Sequence, residues 1–229
     1  VSNSVADIGI AGKNVIEEKG DHVVTIEALG FGKCRLSLAV PKNKSIQNLS
    51  DLNQKKIATS YPNILRKFLQ KEGITANLCE LSGSVEIAPG IGLSDAICDL
   101  VSSGSTLMQN GLEEITTIFH SEALLIQSPN LAKEKEKEKL VQDLLFRIRS
   151  VQKARNYRYI LLNAPNDSME KIISILPGMK SPTIMPLAQK GWSSLHSVIS
   201  VKEFWTVIEN LKNAGAEGIL VIPVEKMIA

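Results

Sequence analysis

The stretch Asp95-Ala-Ile-Cys-Asp-Leu-Val-Ser-Ser-Gly-Ser-Thr-Leu-Met-Gln-Asn-Gly111 is the most informative about the fold, because it predicts a strand, a turn and a helix in succession. Its apolar run at 96–101 is typical of a buried strand. Gly104 permits a tight turn, and Thr106 with Gln109 has the capping-box pattern of a helix that ends at Asn110-Gly111. A chain that repeats such units forms an open α/β sheet.

The segments on either side of this stretch continue the alternation of strands and helices. Further strands are predicted at 5–10, 34–40, 57–60, 77–81 and 123–127, and helices at 13–19 and 64–72. The Lys-Glu run at 133–139 leads into apolar residues at helical spacing, so it predicts the solvated first turns of a helix.

Beyond Tyr157 the pattern changes to strand, helix, two strands, helix and strand, at 159–164, 168–176, 183–187, 194–200, 202–213 and 218–224. The order βαββαβ is typical of a ferredoxin-like domain. We therefore expect a domain boundary between Arg155 and Tyr159.

Composition excludes several classes of function. A net charge of +2 over 229 residues gives no basic face for nucleic acid. The three cysteines and three histidines are too widely spaced to predict a disulfide framework or a protein-built metal site. No apolar run is long enough to span a membrane, and we expect a cytoplasmic protein. The chain opens at Val1, with no initiator methionine, so we expect the natural start to lie upstream.

The turn and helix start after the 96–101 strand form a candidate phosphate site. Backbone amides at a helix start suit a phosphate group when they stand beside hydroxyls, here those of Ser102, Ser103, Ser105 and Thr106. Asp95 and Asp99 are candidates to accept hydrogen bonds from ribose hydroxyls. Serine, threonine and glycine also cap many helices that bind no ligand, and the pattern alone favours that structural interpretation.

Two other segments contain candidate functional residues. Gly9-Ile-Ala-Gly-Lys-Asn14 superficially resembles a nucleotide P-loop, but it is too short and has Asn14 where a magnesium-binding hydroxyl is required, so we reject that interpretation. Glu86 lies between apolar and turn-forming residues. Its carboxylate could face a cleft or cap a turn, and spacing does not separate these alternatives.

Four segments resemble, in the same order, successive motifs of the ATP phosphoribosyltransferase family: Ala6–Gly12, Ile57–Pro62, Leu81–Pro89 and Asp95–Leu107. Two more, Leu176–Thr183 and Ile219–Met227, resemble the C-terminal regulatory domain of the long form of that family. The resemblance covers essentially the whole chain.

This resemblance implies an α/β fold with a two-lobed catalytic body like that of periplasmic binding proteins, followed by a ferredoxin-like regulatory domain. The implied ranges are 1–38 for the remainder of lobe I, 39–122 for lobe II with the phosphoribosyl-binding loop, 123–156 for the return to lobe I and a linker helix, and 157–229 for the regulatory domain. Family members carry a further N-terminal segment before the position of Val1, and we expect it to be omitted here rather than lost.

The implied reaction joins ATP to phosphoribosyl pyrophosphate at N1 of the adenine, releasing pyrophosphate, as the first step of histidine synthesis, with histidine as inhibitor. It needs no nucleophilic side chain, and Mg²⁺ is expected to arrive with the pyrophosphate oxygens. The long form also resembles assemblies of dimers that build hexamers.

The resemblance also assigns residues. The loop Ser103, Gly104, Ser105, Thr106 and Leu107 would hold the 5-phosphate, Asp95 and Asp99 would lie at the ribose, and Glu86 and Tyr61 would lie near the cleft. Ser181 and Thr183 are candidate contacts for histidine. Prolines and serines of this kind are also common in turns, so the structural interpretation of these two stays open.

Two alternatives remain from other classes of function. The same two-lobed fold serves non-catalytic modules that bind small solutes, and fold alone does not exclude such a role. A catalytically silent regulatory subunit is favoured only if the N-terminal segment is truly absent. The Asp95 and Asp99 pair with the 103–107 loop argues for the enzyme.

Overall fold

The computed structural model describes residues 1–20, 22–43, 46–131, 134–176 and 181–228. The chain divides into two compact units, Val1–Glu138 and Lys139–Ala229, and the helix α4 (Lys135–Ala154) contains the boundary between them. Parts of two sequence-based predictions, residues 177–180 of the motif at 176–183 and Lys133 of the charged run, lie outside the described residues. The predicted ranges of lobes and domains stay predictions.

The first unit is built from eight strands and three short helices among its described residues. In chain order they are β1 (Ile8–Gly12), α1 (Lys13–Lys19), β2 (Val24–Ala28), β3 (Cys34–Pro41), β4 (Lys56–Thr59), α2 (Pro62–Lys71), β5 (Asn77–Glu80), β6 (Ala96–Val101), α3 (Ser105–Gln109), β7 (Leu112–Ser121) and β8 (Ala123–Gln127). A 3₁₀ turn at Val85–Ile87 lies between β5 and β6.

These strands form two sheets. A three-stranded antiparallel sheet has the order β1-β8-β2, and a five-stranded mixed sheet has the order β5-β4-β6-β3-β7. β4 is parallel to β5 and β6, whereas β3 is antiparallel to β6 and β7. The chain crosses between the sheets twice, after β2 and after β7, so the first unit has two lobes.

Alternation along the strands of the larger sheet builds a separate core on each face. On one face Leu36, Leu38, Ala96 and Cys98 pack with Leu65 of α2. On the other face Ala39, Ile97 and Val101 pack with residues of α3 and of the 3₁₀ turn, including Leu107 and Val85. Since successive residues of β6 face opposite sides, Asp99 lies on the second face, together with Ile97 and Val101.

The second unit contains most of α4 and a four-stranded sheet. Its other elements are β9 (Tyr157–Pro165), α5 (Met169–Ile175), β10 (Thr183–Pro186), β11 (Trp192–Ser200), α6 (Phe204–Asn213) and β12 (Glu217–Pro223). The strand order β10-β11-β9-β12, antiparallel throughout, is that of a ferredoxin-like domain. Ile160 and Leu162 of β9 pack with Ile172 of α5 and Leu211 of α6.

The predicted α/β class with a separate C-terminal sheet domain is confirmed. Two strands were missed. β7 has no strict alternation, and its pairing with β3 shifts register twice, so its ten residues carry no clear period-2 signal. β2 is an edge strand with a register shift of its own, between Thr25 and Glu27.

The predicted capping box of Thr106 and Gln109 is wrong. The N-cap of α3 lies two residues earlier, at Gly104, which has no side chain to donate or accept a hydrogen bond, and the helix begins at Ser105. Gly104 adopts a left-handed conformation with φ of 84°, which a residue with a side chain adopts only at a cost. The chain therefore turns at Gly104, and Thr106 lies inside the first helical turn.

Candidate active site

Three strands of the larger sheet end at one edge, here called the carboxyl edge: β4, β5 and β6, which run parallel. Ligands in open α/β sheets bind outside the carboxyl ends of the strands. β4 is followed by Ser60 and Tyr61, β5 by the turn that carries Glu86, and β6 by the loop at 102–104 that enters α3. A hydrogen bond from Ser60 Oγ to the Leu81 carbonyl, 2.7 Å, joins the first two connections.

Asp99 lies on β6 two residues before this edge and is half-buried. Burial raises the pKa of its carboxyl group, the N–H of Leu100 that donates to Oδ1 at 2.8 Å opposes this, and the charge of Glu86 adds to the increase. Two carboxylates that repel one another here would both gain from a ligand that supplies hydroxyl donors or positive charge.

The loop after β6 has fixed ends and exposed hydroxyls. Leu107 is buried in the core beneath it, whereas Ser103, Ser105 and Thr106 are exposed. The hydroxyls of Ser103 and Ser105 are 2.9 Å apart. The first N–H groups of a helix have no acceptor within the helix, so the start of α3 offers amides and hydroxyls together, which suits a phosphate.

Tyr61 joins the carboxyl edge to the lobe that contains the three-stranded sheet, here called the smaller lobe. Its phenol oxygen accepts a hydrogen bond from Asn14 Nδ2 of α1 at 3.0 Å. Asn14 is buried, and its Oδ1 in turn accepts from Ser121 Oγ at 2.8 Å. Burial, more than any other cause, raises the pKa of Tyr61, and the charge of Asp99 contributes to the increase.

A second link between the lobes comes from Glu18 at the end of α1. Its carboxylate accepts the backbone N–H groups of Asn63, at 2.9 and 3.1 Å, and of Ile64, at 3.0 Å, in the first turn of α2. Asn63 Nδ2 donates back to the Glu18 carbonyl at 2.9 Å. Sequence reasoning missed this cap, because local patterns do not show a capping residue from another lobe.

A further polar group, also missed, lies where β3, β6 and β7 meet. Arg35 donates from Nε and from one terminal nitrogen to Glu114, at 2.7 and 2.6 Å, and from the other terminal nitrogen to the Ser102 carbonyl at 3.1 Å. Ser37 and Thr117 also donate to Glu114. These bonds, that of Arg35 foremost, lower the pKa of Glu114 to about 2.

The structure does not bring Asp95 to this site. Asp95 precedes β6 at the opposite edge of the sheet, where its Oδ2 accepts the backbone N–H of Lys56 at 3.1 Å. Asp99 lies four residues further along the chain, which corresponds to about 13 Å in a strand. The structure therefore places Asp95 and Asp99 toward opposite ends of β6, and the role of either carboxylate at a ribose stays a prediction.

A cavity of about 440 Å³ also lies at that opposite edge. It is lined by the end of β3 and the residues after it, the start of β7 and the turn before it, and the turn at 89–90, among them Pro41, Lys42, Gly90 and Asn110. It contains none of the predicted site residues. Asp99 and the loop at 103–107 lie instead toward the carboxyl edge.

Ser181 and Thr183, the candidate histidine contacts, belong to the second unit. Both are exposed, and Thr183 begins the edge strand β10 opposite His196. His196 Nδ1 is 2.7 Å from the hydroxyl of Tyr159. Their role stays a prediction.

Neither a cluster of metal ligands nor a membrane-spanning helix is found among the described residues. Among them, no three or more His, Cys, Asp and Glu side chains are grouped so that they could hold a metal ion. In the same part of the chain, no helix combines the length and apolar character needed to cross a membrane.

Comparison with known families matches almost the whole chain. The family model described as ATP phosphoribosyltransferase matches residues 1–150, and the model described as HisG, C-terminal domain, matches residues 154–226.

Individual relatives agree with the family models. The ATP phosphoribosyltransferase of Azobacteroides pseudotrichonymphae is 58% identical over 228 residues, which are 100% of this chain and 80% of the relative. That of Bacteroides thetaiotaomicron is 55% identical over the same coverage. Among solved structures, the ATP phosphoribosyl transferase (HisG:HisZ) complex from Thermotoga maritima matches with a TM-score of 0.56 and 34% identity, over 62% of this chain and 69% of the other. The chain belongs to the ATP phosphoribosyltransferase family and carries the C-terminal domain of its long form.

Proposed function

We propose that this chain transfers the phosphoribosyl group of phosphoribosyl pyrophosphate to N1 of the adenine of ATP, giving phosphoribosyl-ATP and pyrophosphate in the first step of histidine biosynthesis. Family membership supports the activity, since relatives that match the whole chain at 55–58% identity carry the name of this enzyme. The observation that supports the site is that Asp99 lies near the carboxyl end of β6, while the connections that follow β5 and β6 carry Glu86 and the loop at 103–107.

In this proposal the loop Ser103–Leu107 binds the 5-phosphate. Its support is the combination of exposed hydroxyls on Ser103, Ser105 and Thr106 with the first amides of α3, which have no acceptor within the helix. Gly104 leaves no side chain between the turn and the ligand. A phosphate bound there would receive several hydrogen bonds from groups that have little freedom to move. Most of the entropic cost of ordering these groups is therefore met during folding, before the phosphate binds.

Asp99 and Glu86 would act on the ribose. As the bond from the anomeric carbon to pyrophosphate breaks and the bond to N1 forms, positive charge develops on the sugar ring. The ribose hydroxyls donate to Asp99, and the negative charge of both carboxylates stabilises this developing charge. No side chain forms a covalent bond, so catalysis consists of positioning and electrostatics.

Magnesium fits this site as a companion of the substrate. Mg²⁺ prefers oxygen ligands, retains water molecules and commonly uses one or two carboxylates together with substrate phosphates. Asp99 and Glu86 are carboxylates of this kind, and no larger cluster of ligands occurs among the described residues. When bound, the ion neutralises charge on the departing pyrophosphate.

Regulation and assembly complete the proposal. Histidine would inhibit by binding to the C-terminal domain, with Ser181 and Thr183 among its contacts, and dimers would build a hexamer in the cytoplasm. The match of residues 154–226 to the C-terminal domain supports a regulatory role, and the Thermotoga maritima relative is described as a complex.

The proposal is tested with the full-length protein, ATP, phosphoribosyl pyrophosphate and Mg²⁺, by following phosphoribosyl-ATP. Thr106→Ala removes one hydroxyl of the loop and should raise the KM for phosphoribosyl pyrophosphate about tenfold, the effect of one hydrogen bond to a charged group. Gln109→Ala, an exposed position in the same helix, is the matched control and should not change it.

Two results would contradict the proposal. A folded full-length protein that binds both substrates without forming product would be a silent subunit. A protein that binds neither substrate but another small solute would be a binding module. Histidine should lower the rate, and Thr183→Ala should weaken that inhibition without changing the uninhibited rate.

A further inference from the structure

Arg35 reaches the start of the phosphoribosyl-binding loop from a neighbouring strand. It lies on β3 directly opposite Val101, the last residue of β6, and one terminal nitrogen donates to the carbonyl of Ser102, the first residue of the loop, at 3.1 Å. The bond ties the loop to a strand that does not contribute to it in sequence. Leu107, buried in the core, fixes the other end of the loop.

The guanidinium of Arg35 is itself held in place. Its two bonds to Glu114, at 2.7 and 2.6 Å, form a bidentate pair that fixes both the position and the plane of the group. Glu114 is held in turn, because Ser37 Oγ and Thr117 Oγ1 donate to its Oε1 at 2.7 and 3.1 Å. Side chains from β3 and β7 therefore converge on one carboxylate, which orients Arg35 toward Ser102.

We propose that Arg35, oriented by Glu114, is a positioning residue that holds the 102–107 loop in the conformation that binds the phosphoribosyl group. The inference rests on the proposed function, because it takes this loop as the phosphate site. Displacing a binding group by about 1 Å is enough to weaken its contacts strongly. An anchored Ser102 carbonyl keeps the Gly104 turn and the first amides of α3 at one place.

Only arginine fits this role. Lysine has a single ammonium on a flexible chain, so it cannot form the bidentate pair with Glu114 and reach the Ser102 carbonyl at the same time. Arg35→Lys is therefore expected to keep part of the positioning of the loop, and Arg35→Gln is expected to lose it.

A surface ion pair with no role in binding makes a different prediction. The side chains of Arg35 and Glu114 are 32% and 25% exposed, so the pair is partly screened by water and contributes modestly to stability. A purely structural pair would change the melting temperature slightly and leave ligand binding unchanged. A positioning pair changes binding of one substrate selectively.

The experiment measures the dissociation constants of phosphoribosyl pyrophosphate and of ATP by calorimetry, for full-length wild type, Arg35→Gln, Arg35→Lys and Glu114→Gln. We expect Arg35→Gln to weaken phosphoribosyl pyrophosphate binding about tenfold, Arg35→Lys and Glu114→Gln by less, and ATP binding to stay within about twofold. Arg66→Gln is the matched control, since Arg66 pairs with Glu80 at 3.8 Å on the exposed surface of the same unit.

Unchanged phosphoribosyl pyrophosphate binding in Arg35→Gln would overturn the inference, and so would equal weakening by Arg66→Gln. If Arg35→Gln does not fold, Thr117→Val, which removes one bond to Glu114, takes its place and should weaken binding about two- to threefold. Transferase activity is measured separately. A wild-type protein that binds the substrate but forms no product contradicts the proposed function alone, and one that does not bind it overturns the inference.

Discussion

Asn14 of the smaller lobe donates a hydrogen bond to the phenol oxygen of Tyr61 of the larger lobe at 3.0 Å. The two residues lie on α1 and at the start of α2, so the bond connects the lobes beside the carboxyl edge. Asn14 is buried and also exchanges hydrogen bonds with Ser121, at 3.0 and 2.8 Å. The side chain of Tyr61 is thus oriented by a residue that cannot turn freely.

This relationship predicts energetic coupling between the two residues. In a double-mutant cycle of Asn14→Ala and Tyr61→Phe, the coupling in the free energy of unfolding should be about 0.5–1.5 kcal/mol, as for a net neutral hydrogen bond. Asn14→Ala alone should cost more than Tyr61→Phe alone, because it also removes the partner of Ser121. Urea denaturation measures all four proteins, and strictly additive effects would contradict the assignment.

We expect the hydrogen bonds of Glu18 to make a second, independent contribution to stability between the lobes. Glu18→Ala removes the carboxylate that accepts the first N–H groups of α2, and should lower the free energy of unfolding by about 0.5–2 kcal/mol. The loss should shrink at high salt, because interaction with the helix dipole is screened. Glu17→Ala, exposed on the same helix, is the control, and an equal loss there would show that the cap contributes nothing.

Glu114 predicts a specific dependence of stability on pH. Its pKa is about 2 in the folded chain against an ordinary 4.5, so the folded state favours the charged carboxylate. The stabilisation should be fully present above about pH 5 and should be lost as the pH falls from about 4.5 toward 2. The difference in unfolding free energy between wild type and Glu114→Gln should follow that course.

The neighbouring exposed residue provides the control for this measurement. Glu113→Gln removes a carboxylate from the same strand and should not reproduce the pH-dependent difference. A difference between wild type and Glu114→Gln that is the same at pH 3 and pH 7 would show that the ion pair with Arg35 does not contribute in solution.

We expect the charged carboxylate of Asp99 to lower stability at pH 7, although the proposed function needs it. Burial raises the pKa of its carboxyl group, so the charged form costs stability at pH values above the folded-state pKa, and this cost is absent below the ordinary value of 3.8. Asp99→Asn should therefore raise the free energy of unfolding at pH 7, since Asn can still accept the N–H of Leu100. A variant that is less stable at pH 7 would argue against this interpretation.

Local patterns predicted much of the fold. The helix at 13–19 was predicted with the bounds that α1 has, and the βαββαβ order beyond Tyr157 is confirmed by the strand order of the second sheet. These elements have clear periodicity, and several end at or beside glycine or proline, as at Gly20, Pro165 and Pro223. β7 was missed because its irregular pairing with β3 follows from tertiary structure and leaves no alternation in the sequence.

The candidate site was predictable in part, for a physical reason. The loop at 103–107 is contiguous, so its residue types show its chemistry directly. Asp95 and Asp99 are close in sequence, yet a strand places them at opposite edges of the sheet. The bonds of Arg35 with Glu114 and of Asn14 with Tyr61 join distant segments, and only sheet order and register bring those residues together.

The position of the active site is tested by the kcat/KM for phosphoribosyl-ATP formation in full-length wild type, Asp99→Asn and Asp95→Asn. We predict that Asp99→Asn lowers it about 100-fold or more, the usual effect of removing an electrostatic contact to a transition state, and that Asp95→Asn changes it less than about threefold. Equal losses in both variants, or a larger loss in Asp95→Asn, would contradict a site at the carboxyl edge of β4, β5 and β6.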